Sequence, residues 1–348
     1  METTLAQQPL ILEWMSPEEK SFRAHFPEVI TKLPAHSFLD PHTFAIEGYF
    51  TGDNVGSVVC KVRDKNGTYI VKFISEQRTL LIEAAFLKRW REVGARVVNL
   101  LELVEPKDGF DICAAILEYI PTGTTQEMLR QEREKTLPVY ERLGRALAIM
   151  HRAKGERFGE VIDIAGFKGQ HATYKEEIES MLTPEKQELL IAGKLLANDD
   201  KRFISNAIAL IENDVRAGTS PSLIHDDPGV HNTFGVETLT FFDPDPKISH
   251  PLIDVAIASV WAIIATGDQE SLTALADGYQ SEFPYDELVL QACVFLKLLE
   301  KWQWWLHRGK TESFALEWIE KMKPLFMNAK DQIRTHSILS RQNQTTCQ

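Results

Sequence analysis

The chain has 348 residues, of which 44% are apolar and 25% charged, a composition typical of globular proteins. Its net charge of −12 argues against a nucleic-acid partner, because binding to phosphates requires a surface rich in Lys and Arg. The acidity is compatible with a cationic substrate, and an acidic surface that only keeps the protein soluble explains most of it as well.

Cysteine spacing and apolar patterning predict a cytoplasmic protein that does not cross a membrane. The four cysteines lie far apart without a CxxC pair, which argues against a disulfide scaffold or a zinc site: Cys60, Cys113, Cys293 and Cys347. The N-terminus lacks the basic and apolar regions of a secretory signal. The most apolar stretch, residues 251–266, is interrupted by Asp254 and is too short to span a bilayer.

The N-terminal third is predicted to form an α+β lobe. A helical pattern covers residues 10–34, after which the periodicity changes. Alternating and β-branched residues then predict strands at 43–50, 57–62, 68–74, 96–104 and 112–119, with one helix at 76–93. The Asn66-Gly67 pair predicts a hairpin between the second and third strands. We therefore expect an antiparallel sheet with one main helix.

The rest of the chain is predicted to form a larger, mainly helical lobe. Helical periodicity covers residues 125–152, 172–193, 197–217, 252–266, 268–281, 285–306 and 311–336, with two short strands at 233–236 and 239–242. These patterns predict a two-lobed fold, with an N-terminal lobe at 1–117, a hinge at 118–124 and a C-terminal lobe at 125–348. They make no prediction about the oligomeric state.

The segment best suited to carry chemistry reads His-Asp-Asp-Pro-Gly-Val-His-Asn at residues 225–232, and Asp243 follows it after a predicted hairpin. Transfer of a phosphoryl group from a nucleotide needs a carboxylate to orient the attacking hydroxyl, and an Asn and an Asp to hold Mg²⁺. We therefore predict that Asp227 is the catalytic base and that Asn232 and Asp243 are metal ligands. A simple Asp-Asp-Pro-Gly turn would not require the later Asn and Asp.

Two further acidic residues follow this motif. Asp245 is either a second metal ligand or a turn residue, and Asp243 is preferred because it directly follows an apolar strand. Asp254 is a candidate brace that accepts hydrogen bonds from the backbone of the catalytic loop. It also suits the first turn of a helix, where the helix dipole favours a carboxylate, and the two roles are compatible.

Four residues of the N-terminal lobe are candidates for binding nucleotide phosphates. Lys72 lies in an alternating strand, where a lysine can reach phosphates or face solvent, and Glu83 in the following helix can pair with it. The small residues between the first two strands include Gly52 and Ser57. They allow backbone N–H groups to approach phosphates, although an ordinary hairpin loop fits them about equally well.

The apolar strand that ends at the predicted hinge is a candidate for adenine recognition. Glu118 and Tyr119 lie at its end, where an extended backbone can offer a C=O and an N–H to the adenine edge. A plain edge strand explains the same pattern, because the side chains have no part in such contacts.

Tryptophans are concentrated near the C-terminus, at Trp302, Trp304, Trp305 and Trp318. They can line a pocket for a sugar or a cation through stacking and cation–π contacts. Packing in a helical core is the alternative, and we expect it for at least two of the four.

Taken together, these motifs resemble the aminoglycoside phosphotransferase family, the small-molecule branch of the kinase fold. The loop of that family commonly reads His-Gly-Asp-x-x-x-x-Asn, and its metal-binding Asp follows a short hairpin, as Asp243 does. Its next block, Asp-Pro-x-x-Asp-Leu-Ala, is similar to residues 250–256, and the resemblance extends from about 43 to 265. The chain departs from the pattern where Asp226 replaces the usual Gly and where Pro244 follows the metal-binding Asp.

The resemblance implies an enzyme that transfers the γ-phosphate of ATP, or of GTP, to a hydroxyl of a small molecule with the help of Mg²⁺. Lys72 would contact the nucleotide phosphates, and Asp227 would be the catalytic Asp. The acceptor would be cationic or sugar-like, as an aminoglycoside-type antibiotic or a metabolite is. A role in antibiotic resistance and a metabolic role are both compatible with it.

Two alternatives differ in their expected activity. A protein kinase is disfavoured, because only ten residues separate Asp243 from Asp254, which leaves little room for an activation segment. A catalytically silent binding protein of the same fold is disfavoured because the Lys, Asp, Asn and Asp of the motifs are all present.

Overall fold

A computed structural model of the chain describes residues 5–11, 15–50, 57–74, 76–106, 110, 112–197, 200–308 and 313–345. The predicted α+β architecture is confirmed, with an antiparallel sheet lobe followed by a mainly helical lobe. The segment between the last strand of the sheet and the next helix lies where the hinge is predicted. The division at 1–117, 118–124 and 125–348 stays a prediction.

In the described part of the N-terminal lobe, six antiparallel strands form one sheet in the order β1-β2-β3-β4-β6-β5. The strands are β1 (Leu5–Ala6), β2 (Ala45–Phe50), β3 (Ser57–Asp64), β4 (Gly67–Ile74), β5 (Leu100–Val104) and β6 (Ala114–Glu118), and the helices are α1 (Pro17–Ile30) and α2 (Gln77–Glu92). The predicted hairpin joins β3 to β4, where the Asp64 carboxylate accepts the N–H groups of Asn66 and Gly67.

The predicted helix at 10–34 was too long at both ends. The helix begins at Pro17 because Ser16 caps it, with its hydroxyl accepting the N–H of Glu19 at 3.1 Å. Residues 10 and 11 are not helical, and the two-residue strand β1 ahead of them was not predicted. The inner face of α1 then packs on the sheet through Phe26.

The C-terminal lobe contains nine helices among the described residues. They are α3 (Thr125–Gln131), α4 (Thr136–Met150), α5 (Tyr174–Met181), α6 (Pro184–Ala192), α7 (Lys201–Ala217), α8 (Leu252–Thr266), α9 (Glu270–Gln280), α10 (Glu287–Arg308) and α11 (Ser313–Thr345). The helices predicted at 125–152 and 172–193 are each divided into two. The second is divided because Thr183-Pro184 starts a new helix. The bounds predicted for α8 match its observed ends.

Short strands in this lobe were mostly missed. They are β7 (Phe158–Asp163), β8 (Lys168–His171), β9 (Ser222–Ile224), β10 (Thr233–Phe234), β11 (Thr240–Phe241) and β12 (Lys247–Ser249). Only the β10–β11 hairpin was predicted, and the others form a sheet in the order β8-β7-β12-β9. This sheet lies beside the catalytic motif, because β9 ends at Ile224 and β12 begins at Lys247.

The lobes meet around α2 and the β11 strand. The buried indole of Trp90 on α2 donates to the Leu223 carbonyl at 3.2 Å. Beyond α2, Val98 donates its N–H to the Phe241 carbonyl at 2.9 Å. These bonds set the sheet lobe against the two segments that carry the catalytic motif.

Cys60, Cys113 and Cys293 are buried free thiols, whereas Cys347 lies outside the described residues. Among the helices that the structure describes, none is both long and apolar enough to cross a membrane.

Candidate active site

Lys72 joins the two lobes through a buried ion-pair network. Its ammonium group on β4 lies 2.7 Å from Glu83 Oε2 on α2 and 2.7 Å from Asp243 Oδ1. Burial lowers the pKa of Lys72, but the charges of Asp243 and Glu83 more than offset this and raise it. Lys72 is therefore a fixed positive charge, and the predicted pairing with Glu83 is present.

Asp243 and Asn232 are brought together by the β10–β11 hairpin. The Phe242 N–H donates to the Asn232 carbonyl at 3.1 Å, one residue before Asp243. Asp243 itself has a left-handed backbone, with φ of 53°, just before Pro244. Its side chain keeps 29% of its surface exposed, so a carboxylate oxygen beside Lys72 is accessible from the site.

The Asp227 carboxylate is held by hydrogen bonds on both oxygens. Trp261 Nε1 donates to Oδ1 at 2.6 Å, and Asn232 Nδ2 donates to Oδ2 at 2.8 Å. His231 Nε2 lies 3.4 Å from Oδ2. Asn232 Nδ2 also donates to the Asp227 carbonyl at 3.0 Å, so its amide oxygen does not bond to Asp227, and its role as a metal ligand stays a prediction.

These surroundings favour an ionised Asp227. Burial raises the pKa of the Asp227 carboxyl, but the hydrogen bond with His231 and the nearby positive charge of Lys301 lower it below its ordinary value. The side chain is nevertheless 29% exposed. Asp227 is therefore a charged hydrogen-bond acceptor that a substrate hydroxyl can reach.

Asp254 braces the catalytic loop from the first turn of α8. Its Oδ2 accepts the His225 N–H and its Oδ1 accepts the Asp226 N–H, both at 2.8 Å. His151 Nε2 donates to Oδ2 at 2.9 Å. Both roles considered for Asp254 are thus compatible with its position, and His151 is a partner that the sequence did not indicate.

His225 connects the loop to the strand before Asp243. Its Nε2 donates to the Phe242 carbonyl at 3.1 Å, and its ring stacks on Trp90 with centroids 6.1 Å apart. The Asp245 N–H donates to the His225 carbonyl at 2.9 Å. The two segments that carry Asp227 and Asp243 are therefore hydrogen-bonded to each other through residues next to these two carboxylates.

Asp226, which stands where the resembled loop has Gly, is clamped by two lysines. Its φ of 57° is the left-handed conformation that Gly adopts most easily. Its buried carboxylate lies 2.6 Å from Lys297 Nζ and 2.9 Å from Lys247 Nζ. Lys297 also pairs with Glu300 at 2.9 Å. The lysines were not predicted, since they lie 21 and 71 residues away along the chain.

The residues predicted near the phosphates are only partly described. Ser57 is the first residue of β3, and its carbonyl accepts a hydrogen bond from Arg23 at 2.8 Å. Gly52 lies in the segment 51–56, outside the described residues. A phosphate-binding role for this loop stays a prediction.

The two hinge residues have side chains occupied by contacts within the lobe. Glu118 Oε1 accepts the Asn99 N–H at 2.7 Å. The Tyr119 ring lies under Lys61 Nζ, 4.3 Å from the ring centroid. Recognition of adenine at this point would fall to the backbone, as the sequence suggested, and stays a prediction.

The tryptophans divide into core and site residues. Trp302 and Trp305 are buried, with 1% and 0% of their surface exposed, whereas Trp304 is exposed. Trp318 is half-buried and packs edge-on against Trp261, with centroids 5.6 Å apart. Trp261, which touches Asp227, was missed by the sequence reasoning; the only available signal was its spacing of seven residues from Asp254.

The donor set fits Mg²⁺ better than a transition metal. Within the described ranges, no group of three or more His, Cys, Asp or Glu side chains is arranged to hold a metal. Asn232 and Asp243 offer hard oxygen atoms, and Mg²⁺ is usually bound by one or two carboxylates together with substrate phosphates and water. Asp245 is exposed, and the choice of Asp243 over Asp245 as ligand stays a prediction.

Comparisons with known proteins agree with this geometry. A model of the phosphotransferase enzyme family (APH) matches residues 52–290. A search of curated protein sequences found no match. The structure is similar to a thermostable mutant of aminoglycoside phosphotransferase APH(4)-Ia in a complex with AMP-PNP and hygromycin B, at 14% identity and a TM-score of 0.57, over 81% of this chain and 94% of the other.

Two further solved structures have the same fold. One is spectinomycin phosphotransferase APH(9)-Ia with ADP and spectinomycin, at 12% identity and a TM-score of 0.52, over 88% of this chain and 98% of the other. The other is an ethanolamine kinase from Plasmodium vivax, at 14% identity and a TM-score of 0.54, over 92% and 98%. The chain therefore belongs to the phosphotransferase enzyme family and is a phosphotransferase that acts on hydroxyl groups of small molecules.

Proposed function

We propose that this protein transfers the γ-phosphate of ATP to a hydroxyl of a small cationic or sugar-like molecule, with Mg²⁺ as the metal ion. The observation that carries the proposal is the convergence of Lys72, Asp243, Asn232 and Asp227, whose segments are joined by ion pairs and hydrogen bonds of 2.7–3.1 Å where the lobes meet. Related structures hold AMP-PNP or ADP, which supports ATP over GTP.

The charges of the site residues suggest which of them bind the nucleotide phosphates and which bind Mg²⁺. Lys72, fixed by Glu83, offers a permanent positive charge to the phosphates. The Asn232 amide oxygen and the Asp243 carboxylate would hold Mg²⁺, which when bound neutralises the charge of the β- and γ-phosphates. Phosphate oxygens beside Lys72 would compete with Asp243 for the ammonium group and so release this carboxylate for the metal.

The chemical step needs only one group that moves a proton. The acceptor oxygen forms a bond to the γ-phosphorus while the bond to the β,γ-bridging oxygen breaks, and ADP leaves with that electron pair. The hydroxyl proton passes to Asp227, which is ionised and partly exposed. Most of the catalysis then comes from positioning, because the loop that carries Asp227 is tied to α8 and to the β11 segment.

A panel assay tests the proposal. Consumption of Mg-ATP should be measured against aminoglycosides, amino alcohols and neutral sugars, and phosphorylation of at least one class is expected. Thermal stabilisation by Mg-ATP without turnover on any member would favour the silent binding protein instead. Phosphorylation of peptides but of no small molecule would favour a protein kinase.

The metal assignment predicts different effects for the two neighbouring carboxylates. Asp243→Ala should weaken the binding of Mg-ATP more than Asp245→Ala, because only Asp243 lies beside Lys72 and Asn232. Lys72 keeps Glu83 as a partner in the Asp243 variant, so both proteins should fold. Isothermal titration with Mg-ATP measures the difference, and a weaker complex for Asp245→Ala would show that the wrong carboxylate was chosen.

The charge of the acceptor should determine how its apparent KM depends on ionic strength. If the net charge of −12 attracts a cationic acceptor, its apparent KM should rise with ionic strength, since exposed charges act over roughly 8 Å at physiological salt. The KM of a neutral acceptor should stay constant. Steady-state kinetics between low and high salt make the comparison, and equal salt dependence would point to a neutral sugar or nucleoside as the better acceptor.

A further inference from the structure

Helix α8 touches the catalytic loop at two points on one face. Asp254 in its first turn accepts the N–H groups of His225 and Asp226. Trp261 follows seven residues later, which is close to two full turns and about 10 Å along the axis. Its indole therefore emerges on the same side of α8 and reaches the next residue of the loop, Asp227, at 2.6 Å.

The indole is held in place by aromatic neighbours. Its ring lies edge-on to His231, with centroids 4.7 Å apart and planes at 70°, and edge-on to Trp318 at 5.6 Å and 89°. Aromatic rings prefer such edge-to-face arrangements, which add to the stabilisation from area burial. Trp261 is thus a preorganised donor whose N–H does not have to be ordered when substrate binds.

This donor fixes the orientation of the Asp227 carboxylate. Trp261 holds Oδ1 and Asn232 holds Oδ2, so rotation of the carboxylate about its terminal bond would break both hydrogen bonds. Each carboxylate oxygen has a second lone pair, which leaves an acceptor site for the substrate hydroxyl. A fixed acceptor aimed at the place where the proton moves is the usual form of preorganised catalysis.

We infer that Trp261 is a positioning residue of the phosphotransfer reaction, which acts by holding the Asp227 carboxylate in the orientation that accepts the hydroxyl proton. The inference rests on the proposed function, in which Asp227 is the base. Helix α8 thus holds both the loop backbone, through Asp254, and the catalytic side chain, through Trp261.

Replacement of Trp261 by Phe removes the donor and keeps an aromatic ring. We expect kcat to fall about 10- to 100-fold, the range for loss of a hydrogen bond to a charged group, with the KM for ATP unchanged. The titratable groups that face Asp227 are His231 and His225 of the loop and Lys301 of α10, and all remain in this variant.

Trp302→Phe is the matched control. Trp302 is buried in α10, and within the described part of the chain its Nε1 has no hydrogen-bond partner. This variant loses an indole and some core packing, but it loses no bond to the site. Its kcat should stay close to that of the wild type. An unchanged kcat in Trp261→Phe would overturn the inference.

Two further experiments serve if Trp261→Phe folds poorly. They also distinguish failure of this inference from failure of the proposed function. Incorporation of benzothienylalanine at position 261 replaces the N–H by sulfur in a ring of the same shape, and the same loss of kcat is expected. Independently of turnover, the indole proton resonance of Trp261 should shift when Asp227 is replaced by Asn. No shift would overturn the inference even in an active enzyme, whereas a clear shift in a protein that consumes no nucleotide would count against the proposed function alone.

Discussion

Replacement of Asp227 by Asn is expected to reduce turnover by about two to four orders of magnitude, the usual contribution of a positioned acid–base group. Asn has the same shape and can still accept the Trp261 N–H, but it cannot take the proton of the acceptor hydroxyl. Binding of Mg-ATP should largely persist, because Lys72, Asn232 and Asp243 are unchanged. Steady-state kinetics and nucleotide titration measure the two effects separately.

Asp277→Asn supplies the control for this change. Asp277 is exposed on α9, so the same loss of a carboxylate charge is made away from the loop. Its turnover should equal that of the wild type. Turnover of Asp227→Asn within a few-fold of the wild type would remove Asp227 from the role of base and would also leave the Trp261 contact without a catalytic purpose.

The parts of the fold that could be predicted are those with local signals. The bounds of α8 follow from a mostly apolar run, interrupted early by Asp254, that Gly267 ends. The β3–β4 hairpin follows from Asn66-Gly67 between alternating residues. The motif at 225–232 and Asp243 was found for the same reason, since its residues lie close together in the sequence.

The parts that could not be predicted depend on distant pairing. Strand β9 has three residues and acquires its pairing from distant segments, from β12, which follows more than twenty residues later, and from Ala153 and Lys154, which precede it by far. Trp261, Lys247 and Lys297 reach the loop from three separate elements, and each alone looks like an ordinary helix or strand residue. Resemblance to a family does not indicate the two lysines either, because Asp226, with which both pair, is itself a departure from the family pattern.

The second large expected effect concerns stability and follows from Asp226, the residue that departs from the family pattern. Asp226→Ala should lower the free energy of unfolding by about 3–5 kcal/mol, the usual result when one partner of a buried ion pair is removed. Lys247 and Lys297 keep only 7% and 2% of their surface exposed, so water cannot replace the lost carboxylate. Chemical denaturation monitored by circular dichroism measures the loss.

Two comparisons isolate the cause of this loss. Glu320→Ala breaks an exposed pair with Lys323 on α11 and should cost less than about 1 kcal/mol. Asp226→Gly loses the same two ion pairs as Asp226→Ala but adopts φ of 57° without a Cβ clash, so it should be more stable than the Ala variant by about 1 kcal/mol. If Asp226→Ala cost no more than Glu320→Ala, the lysines would have to be solvated or paired elsewhere. If the Gly variant matched the wild type, the two ion pairs would contribute no more than the strain that Gly relieves, about 1 kcal/mol, and not the roughly 3–5 kcal/mol expected for a buried pair.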